Sequence, residues 1–175
     1  RYVINQLKSY NIDTSLIKFK KDESRISLAV VESRIEDHQS IVYRNNASDL
    51  LMNNEEIDRI NFNNFSCLIF TGTCLASEPS RTATFHAINK AKLNNVQIIL
   101  DIDYRPYTWA SSEEASEIYM LASKSCDILI GNDDEFGILS NNYDKGMQTA
   151  QTLSKEISIV IYKKGEKGSF SFFDG

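Results

Sequence analysis

Four segments of this sequence place charged, amide or small residues directly after a short apolar run. Thr71-Gly72-Thr73 follows Cys67-Leu68-Ile69-Phe70, and Asp101-Ile102-Asp103-Tyr104-Arg105-Pro106 follows the run at 96–100. Gly131-Asn132-Asp133-Asp134-Glu135 follows Ile128-Leu129-Ile130, and Lys163-Lys164-Gly165-Glu166-Lys167-Gly168 follows the run at 157–162. Glycines beside lysines let backbone N–H groups come close to phosphate. In an open α/β sheet, ligands bind outside the carboxyl ends of the strands, which is where these segments fall.

Each segment also has a local reading. Thr71-Gly72-Thr73 alone is a tight turn. Asp101, Asp103 and Arg105 alone make an exposed ion pair of small energetic weight. Asn132 and Glu135 alone are a turn amide and a helix-start carboxylate favoured by the dipole. Lys163-x-Gly165-x-x-Gly168 alone is a hairpin turn that uses glycine's access to positive φ. The coincidence of all four at successive strand ends exceeds what a purely structural sheet requires.

The elements that position them follow from periodicity. Ser27–Val31 and Ser40–Tyr43 read as two strands at hairpin distance. The runs at 67–70, 96–100, 128–130 and 157–162 are continuously apolar, which suits strands covered on both faces. Thr84, Ala87, Ile88 and Ala91 recur at i, i+3, i+4, i+7, as do Ala115, Ile118, Tyr119 and Ala122. Ser77 with Pro79 marks a helix start, and Ser111 with Glu114 has capping-box spacing. A weaker helix spans 146–156, another spans 1–9, and Ser169–Phe173 pairs back as a hairpin after Gly168. From residue 66 the alternation of strand and helix predicts a mostly parallel sheet with right-handed crossovers.

With 175 residues, 42% hydrophobic and 25% charged, the chain reads as soluble and globular. A net charge of −5 with no polybasic face argues against nucleic acid or an anionic membrane as partner. Cys67, Cys74 and Cys126 have no CxxC spacing and read as three buried, reduced thiols. No apolar run approaches the ~20 residues that span a bilayer. Residues 1–9 form a helix with no preceding strand and Gly175 follows a strand directly, so both flanking parts of the fold are expected to be missing.

The motifs resemble one family. Asn132-Asp133-Asp134-Glu135 is similar to the N-x-x-E motif of ribokinase/PfkB sugar kinases, and Lys163–Gly168 to their K-x-G-x-x-G segment. Asp101–Arg105 stands in the place of their D-x-N-x-R segment, with Asp103 where Asn is usual. Three segments resemble the 5-dehydro-2-deoxygluconate kinases of inositol breakdown: Asp101–Trp109 (D-x-D-Y-R-P-x-x-W), Tyr43–Leu50, and Ser66–Arg81 with Pro79-Ser80-Arg81.

The resemblance implies a ribokinase-like (Rossmann-like) α/β fold, a mostly parallel sheet with helices on both faces, plus part of a small β lid. Residues 1–175 would be a partial kinase domain, with about 25–45 as lid or substrate-side strands and 62–175 as α/β core. It implies ATP and Mg²⁺ as cofactors, a sugar acid as substrate, a cytoplasmic location and a homodimer through the lid strands. Tyr43, Arg44, Asp103 and Arg105 would contact the sugar acid. The two arginines would do so because a guanidinium fork holds a carboxylate bidentately. Asn132, Glu135, Lys163, Gly165 and Gly168 would serve the nucleotide, with Asn132 and Glu135 organising Mg²⁺ mostly through water. Trp109 reads as a packing anchor. The family's catalytic Asp, in a Gly-Ala-Gly-Asp segment, is absent from these residues, so this chain alone is expected to be inactive. Alternatives are a 2-keto-3-deoxygluconate kinase, a fructokinase-like kinase, or a non-catalytic nucleotide- or sugar-binding module.

Overall fold

A computed structural model of the chain describes residues 2–20, 22–32 and 39–173. Residue contacts divide the chain into two compact units, Arg1–Ser48 and Asp49–Gly175.

The first unit contains helix α1 (Tyr2–Ser9) and strands β1 (Leu28–Glu32) and β2 (Gln39–Tyr43). The strands pair antiparallel, with Leu28 opposite Tyr43 and Glu32 opposite Gln39. This is the expected hairpin; its connection at 33–38 lies outside the described residues. Leu28, Val30, Val31 and Ile41 are all exposed within this small ribbon.

The second unit begins with a short helix α2 (Asn54–Asp58). The order then runs β3 (Cys67–Thr71), α3 (Ser80–Leu93), β4 (Gln97–Asp101), α4 (Ser112–Ser123), β5 (Ile128–Asn132), α5 (Asp133–Leu139), α6 (Gly146–Leu153), β6 (Ile159–Lys163) and β7 (Ser169–Phe173). The strand order is β3-β4-β5-β6-β7, with β3 to β6 parallel and β7 antiparallel at the edge. The predicted alternation and the terminal hairpin are both present.

Alternation along the strands sorts the side chains. Ile98 and Leu100, Leu129, and Val160 and Tyr162 point to one face and form the deep core with Ile88, Ala115, Tyr119, Phe136 and Ile138. The intervening residues, Ile99, Ile128, Ile130, Ile159 and Ile161, are only half-buried, and Ile69 on the edge strand β3 is 65% exposed. The continuous apolar runs arise because both faces carry isoleucine or leucine, although the described residues bury one face more deeply than the other. The half-buried face is the one that matters for chemistry, because period-2 alternation puts Asp101, Asn132 and Lys163 on it, two residues beyond Ile99, Ile130 and Ile161.

Local signals set the helix ends. Helix α3 buries Ala83, Thr84, Ala87, Ile88 and Ala91 along one stripe. It carries Lys90 and Lys92 in its last turn, where the dipole favours cations. It stops where Asn95 takes a left-handed φ of 55°. It starts at Ser80 and not at Ser77: Pro79 flanks it with no side-chain cap, and the Glu78 carboxylate accepts the Thr82 N–H at 3.1 Å instead. Helix α4 does take Ser111 as its cap, accepting the Glu114 N–H at 3.1 Å. The reciprocal half of that box is missing, because the Glu114 side chain is held by Arg81.

The cysteine expectation needs correction. Only Cys126 is buried, and burial pushes its thiol up to about 12. Cys67 and Cys74 are half-buried, since one lies on the edge strand β3 and the other in the turn that leaves it.

Candidate active site

Parallel pairing brings the polar strand ends into one row. Thr71 is opposite Asp101, Asp101 opposite Ile130, and Asn132 opposite Lys163. Lys163 lies two strands from Asp101, yet its Nζ reaches back across β5 to Asp101 Oδ2 at 3.3 Å and Oδ1 at 3.4 Å. Both side chains keep substantial contact with solvent, at 42% and 36% exposure. A pair this long and this wet holds the cation in place without locking it.

Beside it, Asn132 and Glu135 form a reciprocal capping box at the start of α5. Asn132 Oδ1 accepts the Glu135 N–H at 2.9 Å, and Glu135 Oε2 accepts the Asn132 N–H at 2.8 Å. The cap explains why these two residue types stand three apart at a strand–helix junction. It does not account for the burial of Glu135, which is only 5% exposed. Burial raises the Glu135 carboxyl above the usual carboxylate range; the Asn132 N–H and Lys163 pull it down, and Asp101 and Asp103 push it up. A carboxylate kept where its charge is disfavoured is a marker of function more than of stability.

The segment after β4 is bent by Asp103, whose φ of 42° lies in the left-handed region. Asp tolerates that region better than most side chains, as does the Asn usual in the resembling motif. Asp103 Oδ1 pairs with Arg105 Nη2 at 2.6 Å, while Arg105 Nη1 donates to the Tyr104 carbonyl at 2.9 Å. A local ion pair therefore exists, but between Asp103 and Arg105; Asp101 turns to Lys163. Arg105 stays 40% exposed at a cleft of about 350 Å³ bordered by Tyr104, Asn132, Asp134, Glu135 and Tyr143. The cleft joins the D-Y-R-P segment to the N-x-x-E segment.

The turn from Lys163 to Gly168 rests on backbone conformation. Gly165 has φ 55° and Gly168 has φ 82° with ψ −144°. A Cβ at either glycine would meet no atom within 4 Å, so neither is required by crowding. The Gly168 angles lie in a region almost closed to other residues, whereas those of Gly165 admit Asn. Gly168→Ala is therefore expected to destabilise the protein by about 1–3 kcal/mol, and Gly165→Asn by much less, as read from urea unfolding midpoints.

A second arrangement supports the site from behind, and its pairing is not visible in sequence. Arg81 donates through Nε to the Leu75 carbonyl at 2.7 Å and through Nη2 to the Ala76 carbonyl at 3.2 Å. It also pairs with Glu114 at 2.7 Å and lies over the Trp109 ring at 5.5 Å. Trp109 packs on Tyr119 with ring centroids 5.1 Å apart, confirming it as an anchor. Gly72 faces the same tyrosine so closely that a Cβ there would overlap the Tyr119 ring and the Ile102 carbonyl. Arg81 thus clamps the turn after β3 to the loop after β4. Arg81→Met is expected to lower unfolding free energy by about 2 kcal/mol, because two carbonyls lose a charged donor. Glu114→Gln should do less, since that carboxylate is 35% exposed.

Among the expected site residues, Asp103, Arg105, Asn132, Glu135, Lys163, Gly165 and Gly168 all lie at the carboxyl end of the second unit's sheet. Tyr43 and Arg44 belong to the first unit: Tyr43 ends β2 and is 56% exposed, and Arg44 follows it half-buried. Among the described residues no three His, Cys, Asp or Glu side chains come together as a metal cage.

A lysine, a capped helix start and a glycine turn thus stand along the carboxyl end of a mostly parallel sheet, the end at which open α/β sheets bind ligands. The chain belongs to the pfkB family of carbohydrate kinases, whose profile matches residues 1–173. It is 36% identical over 177 residues to the 5-dehydro-2-deoxygluconokinase of Geobacillus kaustophilus (strain HTA426), and 35% identical over 176 residues to that of Lacticaseibacillus casei. Each alignment covers 98% of this chain and 53% of the relative, so the chain spans about half the length of these curated relatives. Among solved structures, apo fructokinase from Vibrio cholerae O395 matches with a TM-score of 0.79 at 21% identity, over 100% of this chain and 60% of that one. Fructokinase with bound ATP from Xylella fastidiosa matches with a TM-score of 0.81 at 15% identity, over 98% and 55%. These likenesses define the ribokinase-like fold.

Proposed function

We propose that the complete protein transfers the γ-phosphoryl group of ATP to the terminal hydroxyl of 5-dehydro-2-deoxy-D-gluconate, giving the 6-phosphate. The observation that carries this reading is the row of Asp101, Asn132 and Lys163 at the strand ends, with the disfavoured Glu135 carboxylate beside it. The names of the relatives from Geobacillus kaustophilus and Lacticaseibacillus casei support the choice of sugar acid.

In this reading Lys163 contacts phosphate oxygens as a point charge, and the backbone at Gly165 and Gly168 borders the nucleotide. Asn132 and Glu135 would hold a Mg²⁺ ion through its waters, and the ion would supply neutralisation of the charge that develops on the transferring group. Arg105 holds the sugar carboxylate and Asp103 contacts a sugar hydroxyl, while Tyr43 and Arg44 keep the sugar-acid role that the family resemblance implies for them. Arg105 can do so because Asp103 and the Tyr104 carbonyl engage only part of its five-donor fork. The hydroxyl oxygen forms the new bond to phosphorus as the bond to the bridging oxygen of ADP breaks. The hydroxyl proton goes to the aspartate of a Gly-Ala-Gly-Asp segment, which these 175 residues do not contain. A cytoplasmic location and pairing of two copies through residues 25–45 belong to the same proposal. Among the described residues no helix is long and apolar enough to cross a membrane.

The test is a comparison of kcat/KM for the complete gene product on 5-dehydro-2-deoxygluconate, 2-keto-3-deoxygluconate and fructose. The first is expected to lead by at least about tenfold, the scale of one well-placed contact. A lead for 2-keto-3-deoxygluconate would move the assignment to that acid. A lead for fructose would remove the carboxylate roles of Arg44 and Arg105. Nucleotide binding without turnover on any sugar would favour a binding module.

A further inference from the structure

Asp101 has no role in the reading above, yet it is the residue that Lys163 reaches for. We propose that Asp101 is a positioning residue that sets where the Lys163 ammonium stands before phosphate arrives. This rests on the kinase reading for its consequences, but the geometry stands independently.

The register carries the argument. Asp101 is level with Ile130 on β5, and Ile130 is level with Ile161 on β6. Lys163 is two residues beyond Ile161, on the same face. A lysine is a flexible stem with a compact charge, so a partner beyond its own strand can set its direction. Asp101 selects the direction back over β5, along the row that contains Asn132, by offering both carboxylate oxygens at 3.3 and 3.4 Å. The ammonium is thereby placed in the field of Glu135, whose carboxyl it pulls down against burial.

The looseness of the pair is part of the role. The distances exceed the 2.7–2.9 Å of a tight charge-assisted bond. Both groups are partly hydrated, so the contact is worth little as a stabilising ion pair. A phosphate oxygen, carrying more charge, can take the ammonium from Asp101 without breaking a strong bond. Asp101 would then remain beside the lysine as a nearby negative charge that keeps the ammonium turned along the row.

The experiment uses the complete gene product with Asp101→Asn, Asp101→Glu, Lys163→Met and the double variant Asp101→Asn/Lys163→Met. Two readouts are taken: steady-state kinetics with separate KM values for ATP and sugar, and direct binding of inorganic tripolyphosphate. Positioning predicts that Asp101→Asn weakens both kcat/KM for ATP and tripolyphosphate affinity on the order of tenfold. It leaves KM for the sugar unchanged, and Asp101→Glu restores part of the loss. It also predicts that the double variant is no worse than Lys163→Met alone, because Asp101 acts only through the lysine. Full additivity of the two single losses overturns the proposal. So does wild-type behaviour of Asp101→Asn, or an equal rise in both KM values. If the wild type phosphorylates no sugar, the functional reading fails. The positioning claim is then decided by tripolyphosphate binding alone, where loss in Asp101→Asn but none beyond Lys163→Met in the double variant supports it. Absence of any Asp101→Asn effect on that binding, or of wild-type binding itself, overturns it.

Discussion

Lys163→Met in the complete gene product is expected to reduce kcat/KM for ATP on the order of 10³-fold, with a far smaller change in KM for the sugar. The side chain is the strand-end cation whose direction is set toward the other polar strand ends, by its contact with Asp101 across β5. Met keeps the apolar stem and the packing on β6 while removing the only part that can meet a phosphate oxygen. Stability should move little, because the ion pair being removed is loose and about 40% exposed. Activity loss with an unchanged unfolding midpoint is therefore the expected signature. A parallel fall in stability would mean that the lysine serves the fold and not the phosphate. Lys163→Arg should recover only part of the rate, since a planar fork cannot occupy the place of a compact ammonium.

Glu135→Gln is expected to cut kcat on the order of 10²-fold while leaving the fold as stable or more so. The amide oxygen of Gln still accepts the Asn132 N–H, so the capping box survives in outline. The sign of the pH effect follows from the raised carboxyl. Its folded-state pKa lies above the usual value, chiefly because burial disfavours the charge. The resulting stabilisation is complete below the ordinary carboxylate pKa and is lost as pH rises through the raised one. Ionised Glu135 is thus a cost at neutral pH, and Gln, neutral throughout, escapes it. The stability advantage of Glu135→Gln over wild type should grow as pH rises through that interval and shrink as pH falls below it. Urea unfolding at a series of pH values reads this directly. A wild type that gains on the variant with rising pH would show that the carboxylate is stabilised in its charged form, and the argument for a retained functional charge would fail.

The four parallel strands were legible because each is an apolar run ended by a polar residue, from Cys67–Thr71 to Ile159–Lys163. The hairpin at β6–β7 was legible because Gly168 precedes an aromatic run. Helix α5 is not legible as an element, since seven residues carry too few turns for periodicity. Its signal was nevertheless present in Asn132 and Glu135, which have capping-box spacing at the end of a strand. Ser77 and Pro79 imitate the start of α3, which lies at Ser80, with the Glu78 carboxylate and not a serine side chain accepting the Thr82 N–H.

The site was legible as residue types and only partly as contacts. Asn132 with Glu135 is a local pair, three residues apart, and so within reach of sequence reasoning. Asp101 with Lys163 is a pair separated by 62 residues that exists only through the register of three strands. The same holds for Arg81, which meets Glu114 and Trp109 only once the turn after β3 lies against the loop after β4. Sequence showed that Asp101 and Lys163 stand at the ends of apolar runs; the fold decides that they share a charge.

The most direct test of the central claim is to incubate the complete gene product with ATP, Mg²⁺ and 5-dehydro-2-deoxygluconate and follow phosphorus by NMR. The account predicts one new phosphate monoester on the terminal carbon for each ADP formed, and a rate that collapses in Lys163→Met. A folded protein that forms ADP without any sugar phosphate, or a Lys163→Met variant that makes the ester at the wild-type rate, would contradict it.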